Sequence, residues 1–284
     1  MTLEPDDSAP GLRELLAFYA EAGVDDALVE EAPDRFAEAE RAAQQAAAAA
    51  VAPPVAEDRS ATQRQPAMAA PPRPAATAAV PDETQIALAR QRASEARTLE
   101  ELRQQLADFD GCNLKTTAKN LVFSDGNPEA DVMLVGEAPG RDEDLEGLPF
   151  VGRSGQLLDR ILAAIGLDRQ SAYIANVIPW RPPGNRTPTP QETEICRPFI
   201  ERQIELANPK VLVTLGGPSA KLLLRTSEGI LRLRGKWSVH TTAAQVAIPT
   251  MPTLHPAYLL RNPAHKKLAW RDFLEVKAKL RSLS

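Results

Sequence analysis

The sequence predicts an α/β domain in which a parallel sheet is covered by helices on both faces. Two observations predict it. From residue 109 onward, short apolar runs bounded by turn residues alternate with stretches of helical periodicity. That stretch, with the helical segment before it, is about 200 residues long, the size of one such domain, and it carries no internal repeat.

The elements follow in order. Residues 11–22 place Leu12, Leu15, Leu16 and Tyr19 on one helical stripe, which Gly23 ends. A second apolar set, Val24, Ala27 and Leu28, follows. Residues 1–36 are therefore expected to form a short N-terminal helical element, too small for a core of its own. Residues 37–83 collapse to Ala, Pro, Gln and Arg, with five consecutive Ala at 46–50 and then Pro53, Pro54, Pro66, Pro71, Pro72, Pro74 and Pro81. Such a segment buries too little apolar surface to fold, and it reads as a disordered linker.

The α/β domain is expected over residues 84–284. Its first segment, 84–108, is helical, with Ile86, Leu88, Ala93, Leu99, Leu102 and Leu106. Residues 131–135 form a buried strand and 157–165 a helix. A strand at 172–177 precedes a helix at 190–206, which lines up Ile195, Phe199, Ile200 and Ile204. A strand at 211–215, a short helix at 219–224, further strand within 237–254 and a terminal helix at 263–280 complete the domain.

Composition excludes several classes. Hydrophobic residues are 43% and charged residues 25% of 284, ordinary for a soluble chain. Two cysteines cannot organise a disulfide scaffold. No run of 18 apolar residues occurs, so a spanning helix is not expected. The acidic start, Met-Thr-Leu-Glu-Pro-Asp-Asp, lacks a signal pattern, and a cytoplasmic location is expected. The net charge of −5 conceals a gradient. Residues 1–80 carry 14 acids and 6 bases, whereas residues 210–284 carry 13 bases and 3 acids. A basic C-terminal quarter points to a polyanionic partner or to a solvated helix face.

In open parallel sheets, ligands bind beyond the carboxyl ends of the strands, and the loops there hold the candidate residues. The first, Gly136 to Gly155, has five glycines and two prolines in twenty residues and carries Glu137, Ala138, Glu143 and Phe150. It reads as a rigid loop or as a phosphate-binding turn opening the next helix. It lacks both GxGxxG and the P-loop Lys-Ser/Thr, which excludes nucleoside triphosphate binding. Asn176 ends the second strand, as a turn former or as an amide presented to a ligand. Behind it, Arg181 and Arg186 sit in a stiff proline-rich loop suited to phosphate contacts. Ser219 follows Gly216-Gly217-Pro218, as a phosphate contact or as a helix cap. The last loop holds His255, Tyr258, Leu259, Leu260 and Arg261. A lone histidine is structural or catalytic. Apolar side chains in a basic loop suit insertion into a base stack.

Together the segments GEAPGRDEDLEGLPFVGRSGQLLD, YIANV, RPPGNR and LHPAYLLR resemble the family 4 uracil-DNA glycosylases, in order and at family spacing from about Cys112 to the C-terminus. The resemblance implies a three-layer α/β/α sandwich around a four-stranded parallel sheet. It implies hydrolysis of the N-glycosidic bond of deoxyuridine in DNA by a monomer. Glu137, Ala138, Glu143, Phe150, Asn176 and His255 fall on the uracil pocket, with His255 and Glu137 in catalysis and the other four binding the base. Arg181, Arg186, Ser219, Tyr258, Leu259 and Arg261 are the candidates for contact with DNA. Leu259, helped by Tyr258 and Leu260, would fill the vacated stack. The N-terminal helix is left to bind another protein.

The family also binds a 4Fe-4S cluster through four cysteines. Here Cys112 and Cys196 match two of them, while Phe109 and Trp180 stand at the other two. The histidines, 240, 255 and 265, do not replace the missing ligands. No cofactor is therefore expected, with aromatic packing in the cluster's place. A second reading is a cluster-less DNA-binding module of the same fold, inactive on uracil or acting on another damaged base. A phosphate-ester hydrolase would need clustered carboxylates beside histidine, which are absent from the sequence pattern.

Overall fold

The computed structural model of the chain describes residues 82–283. The N-terminal helix and most of the linker expected from the sequence lie outside the described residues. Within them, α1 (Asp82–Glu95), α2 (Leu99–Ala107) and α3 (Leu114–Thr117) precede strand β1 (Ser124–Gly126). The alternating part runs β2 (Val132–Gly136), α4 (Arg141–Glu146), α5 (Arg153–Ile165), β3 (Tyr173–Asn176), α6 (Pro190–Ala207), β4 (Val211–Leu215) and α7 (Gly217–Leu224). It ends with α8 (Ile230–Leu233), β5 (Ser238–Thr241), β6 (Ala247–Thr253), α9 (Pro256–Arg261) and α10 (Lys266–Leu283).

The strands form one sheet in the order β1-β3-β2-β4-β6-β5. Contrary to the four-stranded expectation, it has six strands and is mixed. The pairs β3–β2, β2–β4 and β4–β6 are parallel, and an antiparallel strand flanks them on each edge. The sequence reading missed β1, and it expected strand within 237–254 without separating β5 from β6. β1 is three residues of Ser-Asp-Gly with little apolar signal. β5 is half exposed and joined to β6 by a hairpin, in which Thr242 N–H donates to Val246 O at 3.0 Å.

The central strands are buried along their whole length, as a sheet covered on both faces requires. Their side chains alternate between two cores. Met133 and Val135 of β2 point to the layer of α1, α2 and α6, with Leu102, Phe199 and Ile200. Val132 and Leu134 point to the layer of α5 and α10, with Leu158, Leu162 and Phe273. This period of two is what a continuous apolar run becomes when both faces are covered.

Helix boundaries follow local chemistry. The helix expected over 84–108 is two helices, because Thr98 takes an extended conformation (φ −128°, ψ 162°) and its hydroxyl caps α2 through Glu101 N–H at 3.1 Å. α6 opens on a capping box. Glu192 N–H donates to Thr189 Oγ1 at 3.1 Å, and Thr189 N–H donates to the Glu192 carboxylate at 2.7 Å. α10 is tied to the sheet by buried Asp272, which accepts from Thr253 Oγ1 at 2.7 Å and from Arg234 Nε at 3.0 Å. Among the described residues no helix is long and apolar enough to cross a membrane.

Phe273 is the largest apolar side chain that α10 sends under the sheet, and it is fully buried. Phe273→Ala is expected to lower the unfolding free energy by about 3–5 kcal/mol. Urea titration should show a lower midpoint at an unchanged slope.

Candidate active site

The parallel register aligns the carboxyl ends of β2 and β3, placing Gly136 opposite Asn176. The pairing continues one step into the loops, where Val177 N–H donates to Gly136 O at 3.0 Å and Ile178 N–H to Glu137 O at 2.9 Å. Above these ends lies a cavity of about 280 Å³, whose walls include Ala138, Glu143, Phe150, Asn176 and His255. Five of the six residues expected at the pocket are thus brought together. Glu137 lines an adjoining groove of about 380 Å³, which also touches Ala138 and His255.

Gly136 permits the central contact. A Cβ there would lie 2.3 Å from Asn176 Oδ1 and 2.6 Å from Phe150 Cζ, so the amide and the ring edge occupy the space a side chain would fill. Asn176 is buried, and its Oδ1 has no hydrogen-bond partner among the described residues. A buried acceptor left without a donor is costly, about 1–3 kcal/mol, and calls for a physical explanation. Phe150 is also buried and has φ 56°, a left-handed conformation that carries about 1–3 kcal/mol of strain for an ordinary residue. Its ring centroid lies 5.5 Å from that of His255.

His255 caps α9, whose first residue is Pro256. Its Nδ1 accepts from Ala257 N–H at 3.1 Å. The neutral ring therefore carries its proton on Nε2. Burial, and then the nearby charge of Arg261, lower its pKa from 6.5 to about 4. The imidazole is neutral at pH 7 and can donate through Nε2.

Burial raises the Glu137 carboxyl above the ordinary range. Glu143 is held in place: its two oxygens accept from Gly140 N–H at 3.0 Å and Gly152 N–H at 3.1 Å. The sequence expectation of a simple rigid loop missed α4, which Glu143 caps from within. It also missed buried Asp144, which accepts from Lys119 N–H at 2.8 Å and ties the loop to the segment before β1. No hydrophobic periodicity marks either residue. Asn185, Pro182 and Ser154 also line the cavity.

The candidates for DNA contact are less uniform. Arg181 donates to Asn185 Oδ1 at 2.6 Å and lies 4.0 Å from Asp144. Arg186 makes two bonds to Glu192, at 2.9 and 2.7 Å, while still lining the cavity and groove. Arg261 is exposed at the rim and makes no ion pair among the described residues. Tyr258 lines the groove and bonds His265 Nδ1 through its hydroxyl at 2.7 Å. Two expectations are corrected. Ser219 is neither a cap nor an exposed phosphate contact. It is the third residue of α7, buried, with its hydroxyl donating to Gly216 O at 3.3 Å, and Gly216 is the cap. Leu259 is not exposed. Residues 256–261 are helical rather than a loop, and this turns Leu259 into a small core with Leu254 and Ala269, leaving Leu260 as the exposed leucine.

On the layer of α1, α2 and α6, Cys112, Cys196, Phe109 and Trp180 are all buried in one apolar cluster. The two sulfurs are 3.9 Å apart. Contact with Cys112, together with burial, pushes the Cys196 thiol well up. Two thiols beside two aromatic rings do not match the four-ligand set of an iron–sulfur cluster. Among the described residues there is no group of three or more His, Cys, Asp or Glu side chains placed to hold a metal ion.

The chain is similar to known proteins over this region. The chain is 41% identical over 179 residues to a type-4 uracil-DNA glycosylase of Saccharolobus solfataricus, covering 60% of this chain and 81% of that protein. It is 39% identical over 184 residues to one of Archaeoglobus fulgidus (63% and 92%). It is 38% identical over 185 residues to one of Sulfurisphaera tokodaii (63% and 84%). A family model described as the uracil DNA glycosylase superfamily matches residues 123–274, a stretch that contains every wall of the cavity, and the chain belongs to that superfamily.

Proposed function

We propose that this protein excises uracil from DNA, hydrolysing the bond between uracil N1 and the deoxyribose C1′ to leave an abasic site. The observation that carries the reading is the buried, unpartnered Oδ1 of Asn176 in a pocket walled by Phe150 and His255. Uracil satisfies it. N3–H donates to Oδ1, and the amide NH₂ donates to O4. Cytosine presents a bare N3 and an amino group at position 4, so both contacts fail. A pocket built on buried hydrogen bonds rejects such a mismatch strongly.

The base must leave the helix, at a cost of about a few kcal/mol. Phe150 stacks on the extruded ring. The fixed Glu143 carboxylate crowds C5 and excludes the methyl group of thymine. As the glycosidic bond breaks, negative charge develops on uracil O2, and the Nε2–H of His255 stabilises it. Glu137, beside the groove, orients water toward C1′ and balances the sugar cation. Arg261, Arg186, Arg181 and Tyr258 line the path of the strand, and Leu260 is the apolar side chain exposed near it. The enzyme acts as a monomer in the cytoplasm, and the N-terminal segment engages another protein.

Alkali cleavage of uracil-containing oligonucleotides after incubation tests the activity directly; intact strands would leave only a binding module. His255→Ala is expected to slow single-turnover excision by about 100-fold or more, with little change in DNA affinity, because the charge on O2 exists only in the transition state. The pH profile supplies the sign. An imidazolium donor would lose activity as pH rises from about 4 to 6.5, whereas the neutral donor keeps the His255 contribution constant from pH 6 to 8. An acid limb is expected from Glu137, above its ordinary pKa of 4.5, and Glu137→Gln should remove that limb.

Asn176→Asp should weaken discrimination between uracil and cytosine, because a carboxylate cannot donate to O4. Full uracil activity in that variant, measured against matched U·G and C·G duplexes, would dismiss the amide from recognition.

The residues at the family's cluster positions support folding without iron. Purified protein is expected to lack stoichiometric iron and a visible absorption band. Cys112→Ala with Cys196→Ala should keep its activity at a small packing loss. About four iron atoms per chain, in protein purified anaerobically, would overturn this.

A further inference from the structure

The left-handed backbone of Phe150 is held from two sides. On one side lies Gly155 of α5: a Cβ there would sit 1.6 Å from the Phe150 carbonyl oxygen, so only glycine lets that carbonyl settle against the helix. On the other side lies the guanidinium of Arg169, in the connection from α5 to β3. Its Nη2 donates to the same Phe150 oxygen, and its Nη1 donates to Pro149 O at 3.2 Å. Two carboxylates fix the guanidinium in turn. Asp125 of β1 takes Nη1, and Asp159 of α5 takes Nε at 2.8 Å. One planar group thereby ties a sheet edge, a helix and two successive carbonyls of the pocket loop.

We propose that Arg169 is a positioning residue for base stacking: it holds the Pro149–Phe150 backbone in the conformation that sets the Phe150 ring over the pocket. The inference rests on the reading of Phe150 as the stacking ring. Arg169 does not line the cavity, and its polar contacts are the two carbonyls and the two carboxylates. Without the fork, φ 56° loses its main hydrogen-bonded support and the loop relaxes toward the ordinary region, carrying the ring away from Gly136 and His255. Lysine is a poor replacement, because one ammonium cannot present a planar fork to two carbonyls while pairing with both carboxylates.

A double-mutant cycle on single-turnover excision of uracil from an oligonucleotide separates this role from plain structural stapling. Arg169→Met should slow excision about tenfold or more, while affinity for an abasic-site duplex changes by less than about twofold. Arg169→Lys should fall between the two. In the Phe150→Ala background, adding Arg169→Met should change the rate by less than about twofold, because the ring it positions is gone. Equal slowing in both backgrounds would make Arg169 a general staple and overturn the proposal. So would an unchanged rate in Arg169→Met when Phe150→Ala is slow, which leaves the stacking reading standing. Full activity in Phe150→Ala would instead remove the stacking reading itself, and the proposal with it. If Arg169→Met fails to fold, Arg169→Lys, which keeps the charge between Asp125 and Asp159, carries the same cycle.

Discussion

The site depends on one close approach, at the carboxyl end of the central strand β2. Gly136 leaves open a volume that the Asn176 amide, from the end of β3, and the Phe150 ring edge, from the loop after β2, share. Parallel pairing of β2 with β3 supplies the first, because register places Asn176 beside Gly136. The loop after β2 supplies the second, because it returns over the strand end before entering α5. A side chain at 136 would push apart the Asn176 amide and the Phe150 ring at once. The geometry of the cavity is thus a consequence of strand register, which the buried apolar faces of both strands enforce.

Around that contact, charge is arranged so that little is left free. Both oxygens of Glu143 are engaged by backbone N–H groups, Arg186 is held by Glu192, and Arg169 is fixed between two acids. Asn176 Oδ1 stands apart, buried and without a partner. Fixed dipoles cost no reorganisation when a ligand arrives, whereas the orphan acceptor gains a hydrogen bond only then. Burial shifts the pKa values of two of the groups lining the groove, His255 and Glu137, in opposite directions. It keeps His255 uncharged by lowering its pKa and raises the carboxyl of Glu137. A neutral donor and an adjacent acid suit chemistry in which one end of a bond gains negative charge and the other positive.

The opposite layer shows a different use of the same fold. Where a four-cysteine set would need four thiolates in one shell, this chain has two thiols in contact and two large aromatic rings, all within the apolar cluster of α1, α2 and α6. Phe109 packs on Phe199 with ring centroids 5.2 Å apart, and Trp180 is among the largest fully buried side chains. Aromatic burial of this kind supplies cohesion through apolar area rather than through metal bonds.

The alternation of strand and helix was legible in the sequence, because continuous apolar runs such as 211–215 and amphipathic stretches such as 190–206 carry their periods locally. The loops in which pocket residues lie were legible too, from glycine and proline punctuation and from motif order. Other features required the tertiary structure. The two antiparallel edge strands have weak patterns and exist through pairing with β3 and β6. Leu259 reads as an exposed loop residue, yet His255 and Pro256 start a helix that buries it. Ser219 reads as a cap, but the turn at Gly216 starts α7 three residues earlier. Arg169 sits in a polar connection with no motif around it, and its contacts span 10 to 44 residues of chain. Periodicity and turn chemistry are local, so the sequence by itself determined the elements and their order. Side-chain direction at element ends, the partner of each charge and the left-handed backbone of Phe150 arise between distant segments, so only the packed structure decided them.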